Sequence, residues 1–327
     1  MAIQKYQHYV PQTYLNKWLD NKNQLHLYDN KNKLIRSCKT DRIFGENNLY
    51  TKNISYFIIC SEEEKKEIFK CLKGYKVYLH DKELVNENDF TLNYYLFDKW
   101  IIQDSLGNER RKNKFKCEIE HSRILTIENL LKKYEDQWND IYNALLDIIN
   151  NKTDNKKIDD FINNHLFKLK KMVFIQEWRS KDKIEFFKEA INSSIGFMKE
   201  EMEEVYDEMI KDFPKAMFLK KLESFLYGRP EILFDKNFKL FEMAQLKIFV
   251  ATGYKKFLTN DRPILYVENK KLEKGIYYPI SPQITCGFVA GDRSKIFIEQ
   301  MPYNSIRELN KIIKKNSNEF YISSEVR

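Results

Sequence analysis

The spacing of apolar and polar residues changes twice along the chain and divides it into three regions. In the first region, Pro11 stands where a helix can begin, and Tyr14 and Trp18 then fall on one face of that helix. Two short apolar runs follow at residues 24–29 and 34–38, with a polar turn between them. The start of the chain is therefore predicted to be a short helix followed by a β-hairpin.

The second region has the three- and four-residue spacing of amphipathic helices. Residues 61–76 open with Ser61 and three acids and end near Gly74, a pattern typical of a capped helix. The helical spacing then runs almost unbroken over residues 118–228 and predicts a helical bundle. Within it, the acid-rich stretch 199–212 is predicted to be a solvent-exposed helix face.

The third region, beyond residue 235, consists of short β-branched or aromatic runs separated by turn residues. An antiparallel sheet is the simplest interpretation, followed by a helix over residues 305–315 and a last strand over residues 319–323. The order indicates an α+β fold with an N-terminal β-hairpin region, a central helical bundle and a C-terminal, mostly antiparallel sheet, packed as one large unit. We expect the early hairpin to join or face the C-terminal sheet.

Composition supports a folded protein with a sizeable core. Of the 327 residues, 43% are hydrophobic and 14% aromatic, while there are only 9 glycines and 7 prolines. These values argue against a disordered chain and against a turn-rich all-β protein.

The net charge of +8 suits a nucleic-acid partner without requiring one. Its distribution is uneven: residues 1–60 hold nine Lys or Arg against four Asp or Glu, and residues 108–116 hold five against one. These two stretches are the candidate basic patches. The acid-rich stretch 199–212 would instead repel a phosphate backbone.

Cysteine usage and hydropathy indicate a soluble cytoplasmic protein. The five cysteines are widely spaced and form no CxxC pair, so neither a disulfide framework nor a zinc finger is supported. The N-terminus lacks an apolar signal core, and no apolar run approaches the length of a membrane span. We therefore expect no membrane partner. The sequence leaves the oligomeric state open.

Several enzyme signatures are missing. The chain contains no GxxxxGK[ST], GxGxxG, HExxH or GxSxG motif, so a P-loop ATPase, a Rossmann enzyme, a zincin and an α/β-hydrolase lack support.

A series of other motifs occurs in a characteristic order: QHYVPQTYLNKW, LHLYD, IENLL, QEWR, FLTNDRPIL, YYPISP and ELNKIIKKNSNEFYISS. In this order they resemble the bacterial family of unknown function numbered four-two-three-eight, nearly from end to end. The resemblance leaves residues 61–117 without a counterpart and implies an insertion there. The regions are then 1–60, 61–117, 118–235 and 236–327, within one compact domain.

The resemblance also implies functional positions, at residues that match the family pattern: His8, Gln12, Glu128, Gln176, Arg179, Asp261 and Asn310. This chain departs from the pattern at two places. Asn260 replaces the usual Ser before the Asp, and Arg262 stands where Asn is common, which puts a hydroxyl role at that turn in doubt. The family has no settled activity, so the resemblance supplies positions and not a mechanism.

Each position also has an ordinary structural interpretation. The apolar neighbours of His8 can keep its imidazole neutral as a base or metal ligand, but they equally suit a buried histidine bonded to a backbone carbonyl. Glu128, at the edge of an apolar stripe, needs a partner if it is buried, and Arg179 is the obvious one. A structural Glu–Arg pair and a catalytic or phosphate-binding role are therefore equally good interpretations.

The turn TNDRP, residues 259–263, is richer in polar groups than a turn requires. Asp261 at a strand end can bind a divalent cation or act as a general base, and Arg262 can contact a phosphate. Because the resemblance also marks this position, we place function ahead of the simple turn here.

Three hypotheses of function follow. The first is a metal-dependent phosphodiesterase or nuclease, acting in phage defence or as a toxin. In it, His8, Glu128, Arg179 and Asp261 are catalytic, His8 and Asp261 are the candidate ligands of a divalent metal, and the substrate-binding residues are Gln12, Gln176, Arg262 and Asn310. The second is a non-catalytic nucleic-acid or protein binding module, in which the same residues form a buried polar network. A third and weaker hypothesis is a sensor or hydrolase for a nucleotide, with tyrosines stacked on the base.

Overall fold

The computed structural model describes residues 6–30, 32–195, 212–269 and 271–324. The chain folds into two compact units. Unit 1 comprises residues 1–7, 47–131 and 184–231, and unit 2 comprises residues 8–46, 132–183 and 232–327. The fold is α+β, as predicted.

The α-helices concentrate between residues 112 and 242, with short ones before and one long one after. In chain order they are α1 Gln12–Leu15, α2 Ile54–Ile58, α3 Glu62–Ile68, α4 Glu87–Asn93, α5 Lys112–Glu135, α6 Trp138–Asn150, α7 Asn155–Phe161, α8 Phe167–Trp178, α9 Lys181–Ile195, α10 Phe213–Leu226, α11 Ile232–Glu242 and α12 Tyr303–Asn316. No helix in these described stretches is both long and apolar enough to span a membrane.

The strands form several small sheets. In chain order they are β1 Tyr6–His8, β2 Leu25–Asp29, β3 Ile35–Cys38, β4 Gly45–Asn47, β5 Lys76–Leu79, β6 Lys82–Leu84, β7 Ile101–Gln103, β8 Gln245–Ala251, β9 Thr259–Asn260, β10 Leu265–Val267, β11 Gly275–Ser281, β12 Ile284–Val289, β13 Ile296–Met301 and β14 Phe320–Ser323. The sheets run β1-β4, β10-β11-β12-β8-β13, β3-β2-β14-β9 and β6-β5-β7.

The early hairpin does join a C-terminal strand. β2 and β3 pair antiparallel, and the other edge of β2 pairs with the last strand, β14, with Leu27 opposite Ile322. β14 also pairs with β9, so the two ends of the chain share a four-stranded sheet in unit 2. Both Leu27 and Ile322 are buried, which places one face of this sheet in the core.

The five-stranded sheet is antiparallel except at one edge. β8 pairs antiparallel with β12 but parallel with β13. A parallel pair cannot be joined by a tight hairpin, and here the chain runs through β9 to β12 between the two strands. Local apolar runs carry no information on this pairing direction, so the sequence did not predict it.

The core of unit 2 is built around aromatic residues of α1, α6 and the five-stranded sheet. Tyr14 stacks on Tyr278 with a centroid separation of 5.1 Å and lies 6.0 Å from the ring of Trp138. The Tyr14 hydroxyl donates to the Pro279 carbonyl at 2.5 Å and shares a 2.5 Å hydrogen bond with the hydroxyl of Thr259. The short helix after Pro11 is thus fixed to the C-terminal strands by packing and by hydrogen bonds.

Unit 1 has an aromatic core of its own. Phe57, Phe69 and Tyr94 pack edge to face, with centroid separations of 5.2 to 6.1 Å. The predicted helix over 61–76 begins with the expected Ser61 cap, which forms a capping box with Glu64. It is shorter than predicted, because α3 ends at Ile68 and a 3₁₀ turn follows at Lys70–Leu72.

The acid-rich stretch predicted as an exposed helix face lies almost wholly outside the described residues, since only Asp212 of residues 199–212 is described.

We expect Tyr14→Phe to lower the free energy of unfolding by about 1–2 kcal/mol, because the buried Pro279 carbonyl and Thr259 hydroxyl each lose a partner. Urea denaturation measures this loss. Tyr254→Phe is the matched control, since the Tyr254 side chain is 81% exposed. An unchanged stability in Tyr14→Phe would contradict the role of this hydroxyl.

Candidate functional site

The motif at the N-terminus is held by backbone hydrogen bonds of its own unit. The amides of Tyr9 and Val10 both donate to the carbonyl of Phe44, at 2.8 and 3.3 Å. Pro11 then precedes α1, and Val10 is fully buried. The segment of residues 8–10 therefore lies inside unit 2 and presents its carbonyls to neighbouring side chains.

Arg179 donates a hydrogen bond to one of these carbonyls. It lies at the C-terminal end of α8 and is 2% exposed. Its Nη2 donates to the His8 carbonyl, and its Nη1 donates to Glu135 Oε1 at 2.5 Å. A buried guanidinium needs such partners, so two of its nitrogens are committed to groups of the protein.

Gln176 meets the next carbonyl. It lies one helical turn before Arg179, and its Nε2 donates to the Tyr9 carbonyl at 2.8 Å. The side chain is buried, and its Oε1 has no hydrogen-bond partner in the described part of the chain. Because Gln176 and Arg179 lie three residues apart, both side chains reach from one helix face to two successive backbone carbonyls.

The ring of His8 belongs to the same network. Gln12 Nε2 donates to His8 Nε2 at 3.3 Å, which places the ring proton on Nδ1. The pKa of His8 is lowered, chiefly by burial and further by the nearby Arg179 guanidinium. The imidazole is therefore neutral near pH 7, and the site gathers His8, Gln12, Gln176 and Arg179.

The acidic partner of Arg179 is a residue that sequence reasoning missed. Glu135 lies seven residues after Glu128 on α5, and seven residues are close to two helical turns, so the two side chains share a helix face. This seven-residue spacing is the sequence feature by which Glu135 could have been found. Glu128 is half-buried and belongs to unit 1, whereas Glu135 belongs to unit 2.

Asp261 binds the backbone that leads into β14. Its Oδ1 accepts from the amide of Asn318 at 3.0 Å, and its Oδ2 accepts from the amide of Glu319 at 2.8 Å. Burial raises the pKa of Asp261, and the two amides act against that rise. Both carboxylate oxygens thus hold the strand that carries Tyr321.

The residues on either side of Asp261 complete the turn. Asn260 Nδ2 donates to the Ile313 carbonyl at 2.7 Å, and its Oδ1 accepts from the amide of Arg262 at 3.0 Å. Arg262 forms an ion pair with Asp182 and lines, together with Gln176, a cavity of about 170 Å³. Two predicted substrate-binding residues therefore meet at this cavity.

Asn310 clamps the segment before the turn. Its Oδ1 accepts from the Leu258 amide at 2.9 Å, and its Nδ2 donates to the Lys256 carbonyl at 2.8 Å. Asn310 also lines a cleft of about 200 Å³. This cleft is the second place where the structure puts a predicted site residue beside open space.

The cleft is basic and aromatic. Its lining includes four cations: Lys255, Arg307, Lys311 and Lys314. No Asp or Glu stands among the lining residues that the structure describes. Arg307, Lys311 and Lys314 follow one another at spacings of four and three along α12, so they share one helix face.

Two tyrosines form another part of the cleft lining. Tyr28 of β2 and Tyr321 of β14 are cross-strand partners, and their rings stack at a centroid separation of 4.9 Å. Lys314 Nζ lies 4.7 Å from the centroid of the Tyr321 ring. We call this arrangement the basic cleft. It could not be predicted from the sequence, because its residues come from three distant parts of the chain.

A metal centre was the other candidate. Among the described residues, no group of three or more His, Cys, Asp and Glu side chains is placed to hold a metal ion. The predicted ligands His8 and Asp261 are each bonded within the protein, through Gln12 and through two backbone amides.

These features define an α+β protein in which the motif side chains bind backbone groups and a basic cleft opens beside them. A family model described as "Protein of unknown function (DUF4238)" matches residues 6–326, and the chain belongs to this family. The expected resemblance is thus confirmed. No curated protein and no solved structure matches the chain.

We expect the stability of the protein to fall as the pH drops below 6.5, the ordinary pKa of histidine, because His8 has a lower pKa when folded and the unfolded chain then binds more protons. Urea denaturation of wild type and His8→Gln at several pH values isolates this contribution. The variant should lose that part of the pH dependence. If the stability of the two proteins changes with pH in parallel, His8 does not make this contribution.

Proposed function

We propose that this protein is a nucleic-acid binding module that takes a single-stranded phosphate backbone into the basic cleft. The observation that carries the proposal is the convergence of four cations and a stacked tyrosine pair on one opening, with no acid among its described lining residues. Lys and Arg neutralise phosphates, and aromatic rings offer stacking surfaces to bases.

The lining chemistry suits a chain of phosphates better than a single anion. Arg307 supplies a planar fork, whereas the three lysines supply point charges around it. Lys311 is also paired with Glu308 at 2.8 Å, so its charge is partly balanced from outside the lining. A backbone with repeating charges would use the row on α12 better than a single carboxylate would.

The basic cleft is a better candidate than the patch predicted at residues 108–116. In that patch, Lys116 pairs with Asp98 at 2.8 Å and Arg110 pairs with Asp104 at 2.6 Å. Lys112 donates to the Asp98 carbonyl at 2.6 Å. Neighbouring acids therefore balance part of its charge, and a phosphate would have to compete with them.

Binding also explains the motif residues better than catalysis does. Arg179 is buried and bonded to His8 and Glu135, so it would have to leave these partners to clamp a phosphate. The Asp261 carboxylate would likewise have to release two backbone amides to serve as a base. In this account, Asp261 and Asn310 build the frame of the cleft. A metal-dependent nuclease acting in defence or as a toxin is the competing hypothesis.

A cytoplasmic location is part of the proposal. It accords with the five cysteines, each of which is a free thiol in the structure.

The triple variant Arg307→Glu, Lys311→Glu, Lys314→Glu should weaken binding of a fluorescent single-stranded oligonucleotide by about 100-fold near 50 mM salt. It should also reduce the slope of log affinity against log salt by about 2, since each phosphate contact on single strands contributes about 0.7. Fluorescence anisotropy at several salt concentrations measures both quantities.

The matched control reverses three exposed lysines of the same unit, Lys152, Lys156 and Lys168, and so carries the same net charge. If both triple variants lose affinity equally, the effect is one of net charge and the cleft is not the site. If the wild type cleaves the oligonucleotide with Mg²⁺ or Mn²⁺ and folded Asp261→Asn does not, the nuclease hypothesis replaces ours.

A further inference from the structure

A second opening in unit 2 has a different chemistry from the basic cleft and shares no lining residue with it. It is a cavity of about 810 Å³, bounded by α8, α11 and the strands β10 to β12. Its walls are mainly apolar and include Phe174, Trp178, Phe241 and Phe288. Cavities of a few hundred to a thousand Å³ with such walls commonly bind one small organic molecule.

The rim of this cavity exposes apolar side chains to solvent. Leu240 is 67% exposed, Met243 is 61% exposed and Tyr266 is 57% exposed. Apolar side chains grouped around one opening are a usual mark of a binding surface. An apolar ligand in the cavity would remove part of this surface from water.

The polar end of the site is the cavity of about 170 Å³ that Gln176 and Arg262 line. Both cavities are lined by Glu177, Lys183 and Tyr266, so the two are adjacent. A small polar cavity beside a larger apolar cavity suits a ligand with one polar end.

Charge at the polar end is balanced by internal ion pairs. Lys183 pairs with Glu177 at 2.9 Å, and Arg262 pairs with Asp182. A charged head group would have to compete with one of these pairs, whereas an uncharged one would not. The buried Gln176 Oε1, which has no hydrogen-bond partner in the described ranges, adds an acceptor for a donating group.

We propose that these two cavities form one binding site for a small amphipathic molecule with an apolar body and an uncharged, hydrogen-bond-donating head, such as a medium-chain alcohol or amide. The apolar body occupies the larger cavity against Trp178 and Phe241. The head lies in the smaller cavity near Gln176. This site goes beyond the proposed nucleic-acid binding, because none of its lining residues takes part in the basic cleft.

The first test uses the neutral fluorophore 1-aminoanthracene and its displacement by 1-decanol. We expect saturable binding, with a change in the fluorescence of Trp178, which lines the cavity. Ala290→Trp places a large side chain at an exposed lining position and should weaken binding by about tenfold or more, since it removes cavity volume. The control Thr153→Trp, at an exposed turn that lines none of the three cavities, should bind within about twofold of wild type.

The second test compares head groups on one chain: 1-decanol, decanoate and decylammonium. The wild type should bind the alcohol best. Asp182→Asn leaves Arg262 without its carboxylate and should shift the preference towards decanoate, whereas Arg262→Gln leaves Asp182 and should shift it towards decylammonium.

Failure to bind 1-aminoanthracene, or equal binding by Ala290→Trp and Thr153→Trp, would overturn the site. Displacement by all three compounds with equal affinity in all three proteins would overturn the assignment of an uncharged head. Oligonucleotide binding is unaffected by either failure, so the two proposals are tested separately.

Discussion

The arrangement of unit 2 depends on two side chains of one helix that hold two successive backbone carbonyls at the end of β1. Arg179 binds the His8 carbonyl and Gln176 binds the Tyr9 carbonyl. A buried strand without such donors would leave polar groups unpaired at a cost of about 1–3 kcal/mol each. Once the strand is fixed, Pro11 starts α1 at a defined place, and Tyr14 reaches the sheet.

The same principle recurs at the other end of the chain. Asp261 holds the amides of Asn318 and Glu319, and Asn310 holds the segment at Lys256 and Leu258. These clamps fix β14 and the start of β9, and β14 carries the tyrosine that pairs with Tyr28. Asp261 and Asn310 therefore fix the strands around the basic cleft, and Asn310 also lines it. Gln176 likewise holds a backbone carbonyl and lines the smaller of the two cavities that we propose bind a small molecule.

The sequence predicted the elements well because each one is encoded locally. The hairpin at residues 24–38, the capping box at Ser61 and the late helix after Pro302 all follow from short-range spacing and turn chemistry. The sequence could not predict which distant segments of the chain come into contact. Neither the parallel pair of β8 and β13 nor the joining of Tyr28, Tyr321 and α12 into one cleft leaves a local signal.

The same limit applies to the candidate site. The family resemblance pointed to Gln176 and Arg179, but each of these side chains binds a backbone carbonyl, which no residue type can signal. A residue pattern alone also cannot tell a catalytic Asp from an Asp that binds two backbone amides. The hydrogen-bond partners of the carboxylate bear on this question, and those partners follow from the fold.

If Arg179 is architectural and nucleic acid binds in the basic cleft, the variant Arg179→Met should separate stability from binding. The measurement is paired: the free energy of unfolding, and the oligonucleotide affinity under conditions where the variant is folded. The account predicts a stability loss of about 3–5 kcal/mol, because Glu135 keeps a partly buried charge without its partner, and an affinity equal to that of wild type. A variant with normal stability that no longer binds the oligonucleotide would show instead that Arg179 itself takes part in binding.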